Sequence, residues 1–145
     1  MDDGQLLALL RDAKAIAVVG LSDKPERPSY GVAEYLEEAG YEIVPVNPMI
    51  VRWKDKKSYA SLSALPSEIK IDIVDIFRKS EEVPPIAKEA MSLAAMPKIV
   101  WLQEGVESEE AGKIVEGRAA RAGAAVFFVQ NKCLKKEHSR LMGIV

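Results

Sequence analysis

The sequence lacks the features of several protein classes. Its 145 residues include one cysteine, Cys133, so an intramolecular disulfide framework is excluded. No apolar run approaches the ~18 residues of a membrane span, and the acidic start has too short an apolar stretch for a signal peptide. The net charge of −2 argues against non-specific binding to nucleic acid or to an anionic membrane surface. We therefore expect a cytoplasmic protein.

Two signatures of nucleotide-binding enzymes are also missing. The first apolar run ends at Gly20 and continues into a long loop containing prolines, so the dinucleotide fingerprint G-x-G-x-x-G is not formed. Asn47 and Pro48 stand where an acidic residue would bind the ribose of NAD. The chain also has no P-loop, which argues against ordinary hydrolysis of nucleoside triphosphates. No metal-ligand spacing of the zinc type is present either.

What the sequence does contain is an alternation of short apolar runs with amphipathic helical patterns, which is typical of a parallel α/β sheet. Hydrophobic residues make up 48% of the chain, enough for one domain with a single core. We predict a doubly wound sheet within one domain over residues 1–145, with a core at about 15–130 and peripheral helices at both ends. The predicted strands cover residues 15–20, 42–46, 71–77, 98–102 and 125–129. The predicted helices cover residues 5–11, 29–39, 108–122 and 135–142, with a further helix after Ser80.

The loop between the first predicted strand and the following helix is polar and cationic. It carries Lys24 and Arg27 beside Ser22 and Ser29, and Ser29 is the predicted N-cap of the helix. Backbone N–H groups at a helix N-terminus bind phosphate, and a loop that only reverses the chain needs no such set of side chains. The loop therefore predicts an anion site. A weak surface pair between Arg27 and a nearby glutamate is the alternative.

The other predicted strands also end in polar or aromatic residues, at the edge where ligands bind in such sheets. Phe77 and Trp101 either stack on a ligand or belong to the core, and the sequence leaves both readings open. His138 lies in a lysine-rich helical segment and is interpreted as a surface histidine. The lysines at positions 54, 56 and 57 are interpreted as a solvated loop.

Several motifs occur in a fixed order along the chain. They are G-x-S-x-x-P-x-R-x-S-Y from Gly20, PVNP at 45–48, VDIFR at 74–78, WLQEGV at 101–106, and a terminal cysteine with a histidine near it. This set resembles the signature of small stand-alone CoA-binding proteins, which are similar to the N-terminal CoA-binding domain of the succinyl-CoA synthetase alpha subunit. The resemblance covers about residues 15–138. It implies a Rossmann-like, three-layer α/β/α sandwich with five parallel strands and coenzyme A at the strand ends.

The resemblance also implies which residues bind the ligand. The first loop and the helix start would cradle the phosphates, through Gly20, Ser22, Lys24, Arg27, Pro28, Ser29 and Tyr30. Asn47 and Pro48 would lie by the adenosine half, and Phe77 and Arg78 would border the ligand. The residues near the pantetheine arm would be Gln103, Glu104 and Gly105.

The sequence departs in two places from the pattern of the family that it resembles. Met49 and Ile50 stand where a lysine usually follows the asparagine–proline pair. The charged segment 52–57 is the other source of charge for the 3′-phosphate of CoA, and on that ground we expect CoA to be preferred over dephospho-CoA. Leu134 follows Cys133 where proline is usual.

The sequence favours a binding protein over an enzyme. CoA ligases of the family that it resembles transfer phosphate through a histidine in a second domain, and we expect no such domain here. The leading interpretation is a non-catalytic protein for CoA or acyl-CoA that works alone or with a separate protein partner. One alternative is a thiol/disulfide enzyme acting on CoA through Cys133, with Lys132 or His138 lowering the thiol pKa. Another is a module for a different nucleotide.

Overall fold

The protein is described by a computed structural model of residues 2–143, so residues 1, 144 and 145 of the predicted domain lie outside the described residues. The strands are β1 (Ala15–Val19), β2 (Glu42–Val46), β3 (Arg52–Trp53), β4 (Lys56–Lys57), β5 (Ile73–Ile76), β6 (Ile99–Leu102) and β7 (Phe127–Val129). The helices are α1 (Asp3–Asp12), α2 (Pro28–Glu38), α3 (Val83–Ala90), α4 (Glu109–Ala122) and α5 (Leu134–Met142). Short 3₁₀ turns cover Leu62–Ala64 and Ser80–Glu82.

The main sheet has five parallel strands in the order β2-β1-β5-β6-β7. The chain runs outward from β1 to β2, crosses back to β5 on the other side of β1, and then continues through β6 to β7. The strand order therefore reverses between β1 and β5, which is the topological switch point of a doubly wound sheet. This confirms the predicted fold class. The antiparallel ribbon of β3 and β4 is an addition that the sequence patterns did not predict.

Helices cover both faces of the sheet because side chains alternate along each strand. Ile16 and Val18 of β1 belong to the core formed with α1, α2 and α5. Ala17 and Val19 belong to the opposite core, formed with α3 and α4. The three layers are thus helices, sheet and helices, as the resemblance implied. Among the described residues, no helix is long and apolar enough to cross a membrane.

The ends of α4 follow from its sequence. The Ser108 hydroxyl accepts the Ala111 N–H at 3.0 Å, which satisfies one of the free donors of the first turn. Gly123 ends the helix with φ at 65°, a left-handed conformation that glycine adopts without strain. Both ends agree with the helix predicted at 108–122.

Two helices are shorter than the apolar patterns predict. The apolar spacing predicts a buried Ala39 on the helix at 29–39 and a buried Ala94 on the helix after Ser80. Helix α2 ends at Glu38 and α3 ends at Ala90, and both alanines are exposed. The strands predicted at 71–77, 98–102 and 125–129 are shorter as well, at Ile73–Ile76, Ile99–Leu102 and Phe127–Val129.

Candidate functional site

The candidate site begins where the ends of β1 and β5 meet. Gly20 has φ at 86°, and a Cβ atom at this position would lie 2.4 Å from the carbonyl oxygen of Phe77. Its N–H donates to the carbonyl of Val46 at 2.8 Å, and the N–H of Phe77 donates to the carbonyl of Val19 at 2.8 Å. Only glycine satisfies both the left-handed conformation and the close approach. The ends of three strands are therefore held together at the switch point.

The loop of residues 20–29 is folded by its own hydroxyl groups. The Ser29 hydroxyl accepts the Ser22 N–H at 2.9 Å, and the Ser22 hydroxyl accepts the Lys24 N–H at 3.1 Å. The predicted capping role of Ser29 is wrong, because α2 begins at Pro28 with Arg27 in the N-cap position and Ser29 is buried in the first turn. The serine instead joins the start of the loop to the start of the helix.

Both cations of the 20–29 loop are exposed and free of carboxylate partners within residues 2–143. Neither Lys24 nor Arg27 forms an ion pair with another described residue, so the alternative of a surface pair for Arg27 finds no support. The loop also carries Asp23 and Glu26, so its formal charge is balanced, but Lys24 and Arg27 are left without carboxylate contacts from the described residues beside the N-terminus of α2. The arrangement suits an anion that carries two negative charges.

Two cavities open at the carboxyl edge of the sheet. The smaller, of about 460 Å³, is lined by eight of the predicted residues, together with Asp23, Met49 and Ile50. Those eight are Gly20, Ser22, Lys24, Arg27, Pro28, Ser29, Asn47 and Phe77. The larger, of about 720 Å³, is lined by Arg78, Glu82, Gln103, Glu104, Cys133 and Lys136, among others. Pro28 and Phe77 line both cavities, so the two adjoin at these residues, and we call the two together the depression.

Three predicted site residues lie beside this depression instead of in its walls. Pro48 lines a neighbouring cavity of about 500 Å³ that shares Arg78 with the larger one. The Tyr30 ring packs edge-on against Trp53, with 5.6 Å between the ring centroids. Gly105 has φ at 83°, and its N–H donates to the Asn131 side chain at 2.7 Å, which holds the turn after β6.

Two cations of the larger cavity are paired with carboxylates, unlike those of the loop. The Arg78 guanidinium donates from Nε and Nη2 to one carboxylate oxygen of Glu82, with both distances at 2.7 Å, and holds the pKa of that carboxyl below its ordinary value. Lys136 Nζ lies 2.8 Å from Glu104 Oε1, and this hydrogen bond raises the lysine pKa. Lys79 also lines this cavity; it is exposed and forms no ion pair with another described residue.

Two side chains at the end of β6, those of Trp101 and Gln103, hold the segment that carries Cys133. Gln103 is buried, and its Oε1 accepts the Leu134 N–H at 3.0 Å; a proline at position 134 has no N–H to donate. The Trp101 ring is fully buried and donates from Nε1 to the Lys132 carbonyl at 2.7 Å, so Trp101 belongs to the core. Cys133, half-buried in the N-cap position of α5, lines the larger cavity.

His138 is not the surface residue that the sequence predicted. It is 4% exposed, and its Nδ1 is hydrogen-bonded to the Tyr35 hydroxyl at 2.9 Å, with the Tyr41 ring packed edge-on against it. Burial lowers the His138 pKa. The lysine-rich pattern around it describes the exposed face of α5, whereas the histidine lies on the inner face.

The lysines of segment 54–57 form a hairpin instead of an irregular loop, although Lys54 and Lys57 are exposed. Lys56 and Lys57 form β4, and Lys54 lies in the turn before it, with its Nζ 3.1 Å from a carboxylate oxygen of Glu34 and 3.1 Å from one of Glu37. Lys56 lies 3.8 Å from the other oxygen of Glu37. These hydrogen bonds raise the Lys54 pKa and tie the ribbon to the outer face of α2.

One buried polar residue was missed by the sequence reasoning. Asp75 lies in β5 between Val18 of β1 and Trp101 of β6, is fully buried, and has no hydrogen-bond partner among the described residues. Desolvation raises its pKa well above the ordinary value, so the carboxyl is neutral in the folded protein. The available signal was an aspartate inside the apolar run of the VDIFR motif. Within residues 2–143, no group of three or more His, Cys, Asp or Glu side chains is placed to hold a metal ion.

Comparisons with known proteins identify a matching family and several similar chains. A family model described as a CoA binding domain matches residues 14–139. The uncharacterized protein YneT of Bacillus subtilis (strain 168) is 37% identical over 135 residues, which are 93% of this chain and 93% of that protein. The solved structure of cell-free ID.343 from Thermus thermophilus is 36% identical, with a TM-score of 0.81 over 97% of this chain and 99% of that chain. The ADP-forming acetate–CoA ligase II of Archaeoglobus fulgidus is 25% identical over 118 residues, which are 79% of this chain and 18% of the ligase.

Proposed function

The chain belongs to the CoA binding domain family, and we propose that it binds coenzyme A or an acyl-CoA at the carboxyl edge of its sheet, as a binding protein without catalytic activity. The resemblance drawn from the sequence motifs is thereby confirmed at the level of the family. The bound molecule and its placement are the substance of the proposal.

The observation that carries the proposal is that two cavities of different lining adjoin at Pro28 and Phe77. The smaller is lined by two unpaired cations, and the larger is lined by two ion pairs, by Lys79 and by Cys133. Coenzyme A is an elongated molecule with a phosphorylated nucleotide at one end and an uncharged pantetheine arm at the other. A ligand of that form would place its pyrophosphate in the first cavity and its arm in the second, passing over Phe77.

The residues then divide by the part of the ligand that they would contact. The pyrophosphate would be held by Lys24 and Arg27 and by the backbone at the start of α2, whereas Gly20, Ser22, Pro28 and Ser29 shape the loop. Tyr30 would support this helix start through its packing on Trp53. The remaining residues follow the ligand from adenosine to thiol: Asn47 and Pro48; Phe77 and Arg78; Gln103, Glu104 and Gly105.

Mass spectrometry of small molecules released from the purified protein tests the proposal, together with calorimetric titration of the ligand-free protein. We expect CoA or one of its thioesters in the released fraction and saturable binding of added CoA. Release of a different nucleotide, with no heat of CoA binding, would support the module for another nucleotide and overturn the proposal.

A second candidate is thiol chemistry at Cys133, favoured by its position in the larger cavity and at the N-terminus of α5. In that reaction the Cys133 thiolate would attack one sulfur of CoA disulfide. A protein–CoA mixed disulfide would form, and CoA would leave as the thiolate. The test is the rate of Cys133 labelling by a thiol reagent. Strong protection by CoA and a mass increase of one CoA after incubation with CoA disulfide would favour it, whereas slow labelling that CoA does not change would exclude it.

A further inference from the structure

We propose that the site recognises the pyrophosphate of its ligand and makes no charged contact with a 3′-phosphate, so that 3′-dephospho-CoA binds about as tightly as CoA. This inference rests on the proposed function and specifies its substrate class. It replaces the preference for CoA that the charged segment at 52–57 suggested.

The first observation is an apolar wall at the nucleotide end of the smaller cavity, formed by Met49 and Ile50. Met49 is 84% exposed, and its N–H donates to the Asn47 side-chain oxygen at 2.9 Å. The amide nitrogen of the same Asn47 donates to the Leu21 carbonyl at 2.9 Å. The wall is therefore held against the 20–29 loop, where it would pack on the adenosine of a ligand whose pyrophosphate lies on that loop.

The second observation is that the lysines nearest in sequence already have partners. Lys54 bridges Glu34 and Glu37, and Lys56 lies near Glu37. Lys57 has its ammonium 5.1 Å from the centroid of the Tyr59 ring. Moving any of these lysines to a ligand would break contacts that join the β3–β4 ribbon to its surroundings.

The third observation concerns the remaining cations. Arg52 is exposed and does not line the smaller cavity, whereas Lys24 and Arg27 do. Lys24 and Arg27 line this cavity beside Asp23, and they are the cations available to a pyrophosphate there. No further lysine or arginine lines this cavity, so a 3′-phosphate would meet the apolar wall and water.

Calorimetry with CoA and with 3′-dephospho-CoA tests the inference on the wild-type protein and on two variants. Met49→Lys adds a cation to the wall, and Val51→Lys is the matched control, since Val51 is 77% exposed and does not line the cavity. For the wild type we expect the two dissociation constants to agree within about threefold. Met49→Lys should raise the ratio of CoA affinity to dephospho-CoA affinity about threefold to tenfold, because the added cation acts on the 3′-phosphate while any lost packing on the adenosine affects both nucleotides. Val51→Lys should leave this ratio unchanged.

The outcomes separate this inference from the proposed function. Wild-type binding of CoA more than about tenfold tighter than dephospho-CoA would overturn the inference and leave the proposed function in place. If neither nucleotide binds, both fail. If Met49→Lys brings no gain in this ratio, or Val51→Lys brings the same gain, the apolar wall does not face the 3′ position and the inference is wrong.

Discussion

Gly20 approaches the backbone of Phe77 so closely that a Cβ atom on the glycine would lie 2.4 Å from the Phe77 carbonyl oxygen. The contact joins the end of β1 to the end of β5 at the point where the strand order reverses. Because Phe77 lines both cavities, the position of this backbone sets the geometry of the whole depression. Four predictions about stability and binding, and one about activity, follow from this and from other contacts.

The substitution Gly20→Ala should destabilise the protein and weaken CoA binding. Alanine at φ of 86° is strained by about 1–2 kcal/mol, and the clash with Phe77 adds to that cost. Gly40→Ala is the control, because Gly40 has φ at 108° and open space around its Cβ position. Thermal unfolding and calorimetry of both variants check this. Equal losses of stability in the two would show that the contact with Phe77 is unimportant.

The substitution Arg27→Ala should weaken CoA binding by about 1.5–3 kcal/mol, the usual worth of a hydrogen bond to a charged group. The fold should be unaffected because Arg27 is exposed and has no ion-pair partner among the described residues. Arg52→Ala, at an exposed position outside the cavity, should bind CoA like the wild type. Unchanged affinity of Arg27→Ala would remove this residue as an anchor.

His138 should make the protein less stable in acid. Burial lowers its pKa in the folded state, so the unfolded chain takes up a proton first as the pH falls. The contribution is fully present above the ordinary value of 6.5 and is lost as the pH falls through the lowered pKa. Urea unfolding between pH 5 and about pH 8 should show this decline in the wild type and a smaller one in His138→Gln. The same decline in both proteins would assign it to other groups.

Asp75 should make the protein less stable as the pH rises, which is opposite to the effect of His138. Its carboxyl is held neutral by burial, so the unfolded chain ionises first as the pH rises above the ordinary value of 3.8. The free energy of unfolding therefore falls with rising pH up to the raised pKa. Asp75→Asn, which keeps a neutral side chain of the same shape, should remove this fall and stabilise the protein near neutral pH.

Asp72, directly before β5, provides a matched control for Asp75. The Asp72 carboxylate accepts the backbone N–H groups of Lys14 and Ala15, at 2.8 and 3.0 Å, so Asp72→Asn should destabilise the protein instead. Chemical unfolding of both variants over a range of pH measures the contrast. A loss of stability for Asp75→Asn at neutral pH would contradict a neutral carboxyl at that position.

The purified protein should make no acetyl-CoA from acetate, ATP, magnesium and CoA. The ADP-forming ligase resembles this chain over 18% of its own length, and the single histidine here is buried with its Nδ1 on Tyr35. A phosphate carrier must reach its donor and acceptor. Thioester and ADP are the products to measure. Turnover that is lost in His138→Gln would overturn the proposal of a binding protein.

The sequence by itself determined the architecture. Short apolar runs separated by helical patterns identified the strands of the main sheet, because a strand covered on both faces is apolar throughout. Gly20 and the cationic loop after it predict the ligand edge, because both are local features of a strand–loop–helix unit, and this stays a prediction. The family motifs supported the same region, and the family itself is confirmed.

Only the tertiary structure decided what each polar side chain contacts. Ser29 bonds to Ser22 instead of capping its helix, Lys54 is held by Glu34 and Glu37, and His138 is buried against Tyr35. Asp75 is neutral because the strands and helices around it exclude water. Hydrogen bonds, ion pairs and burial depend on residues distant in sequence, and their geometry exists only once the helices pack on the sheet.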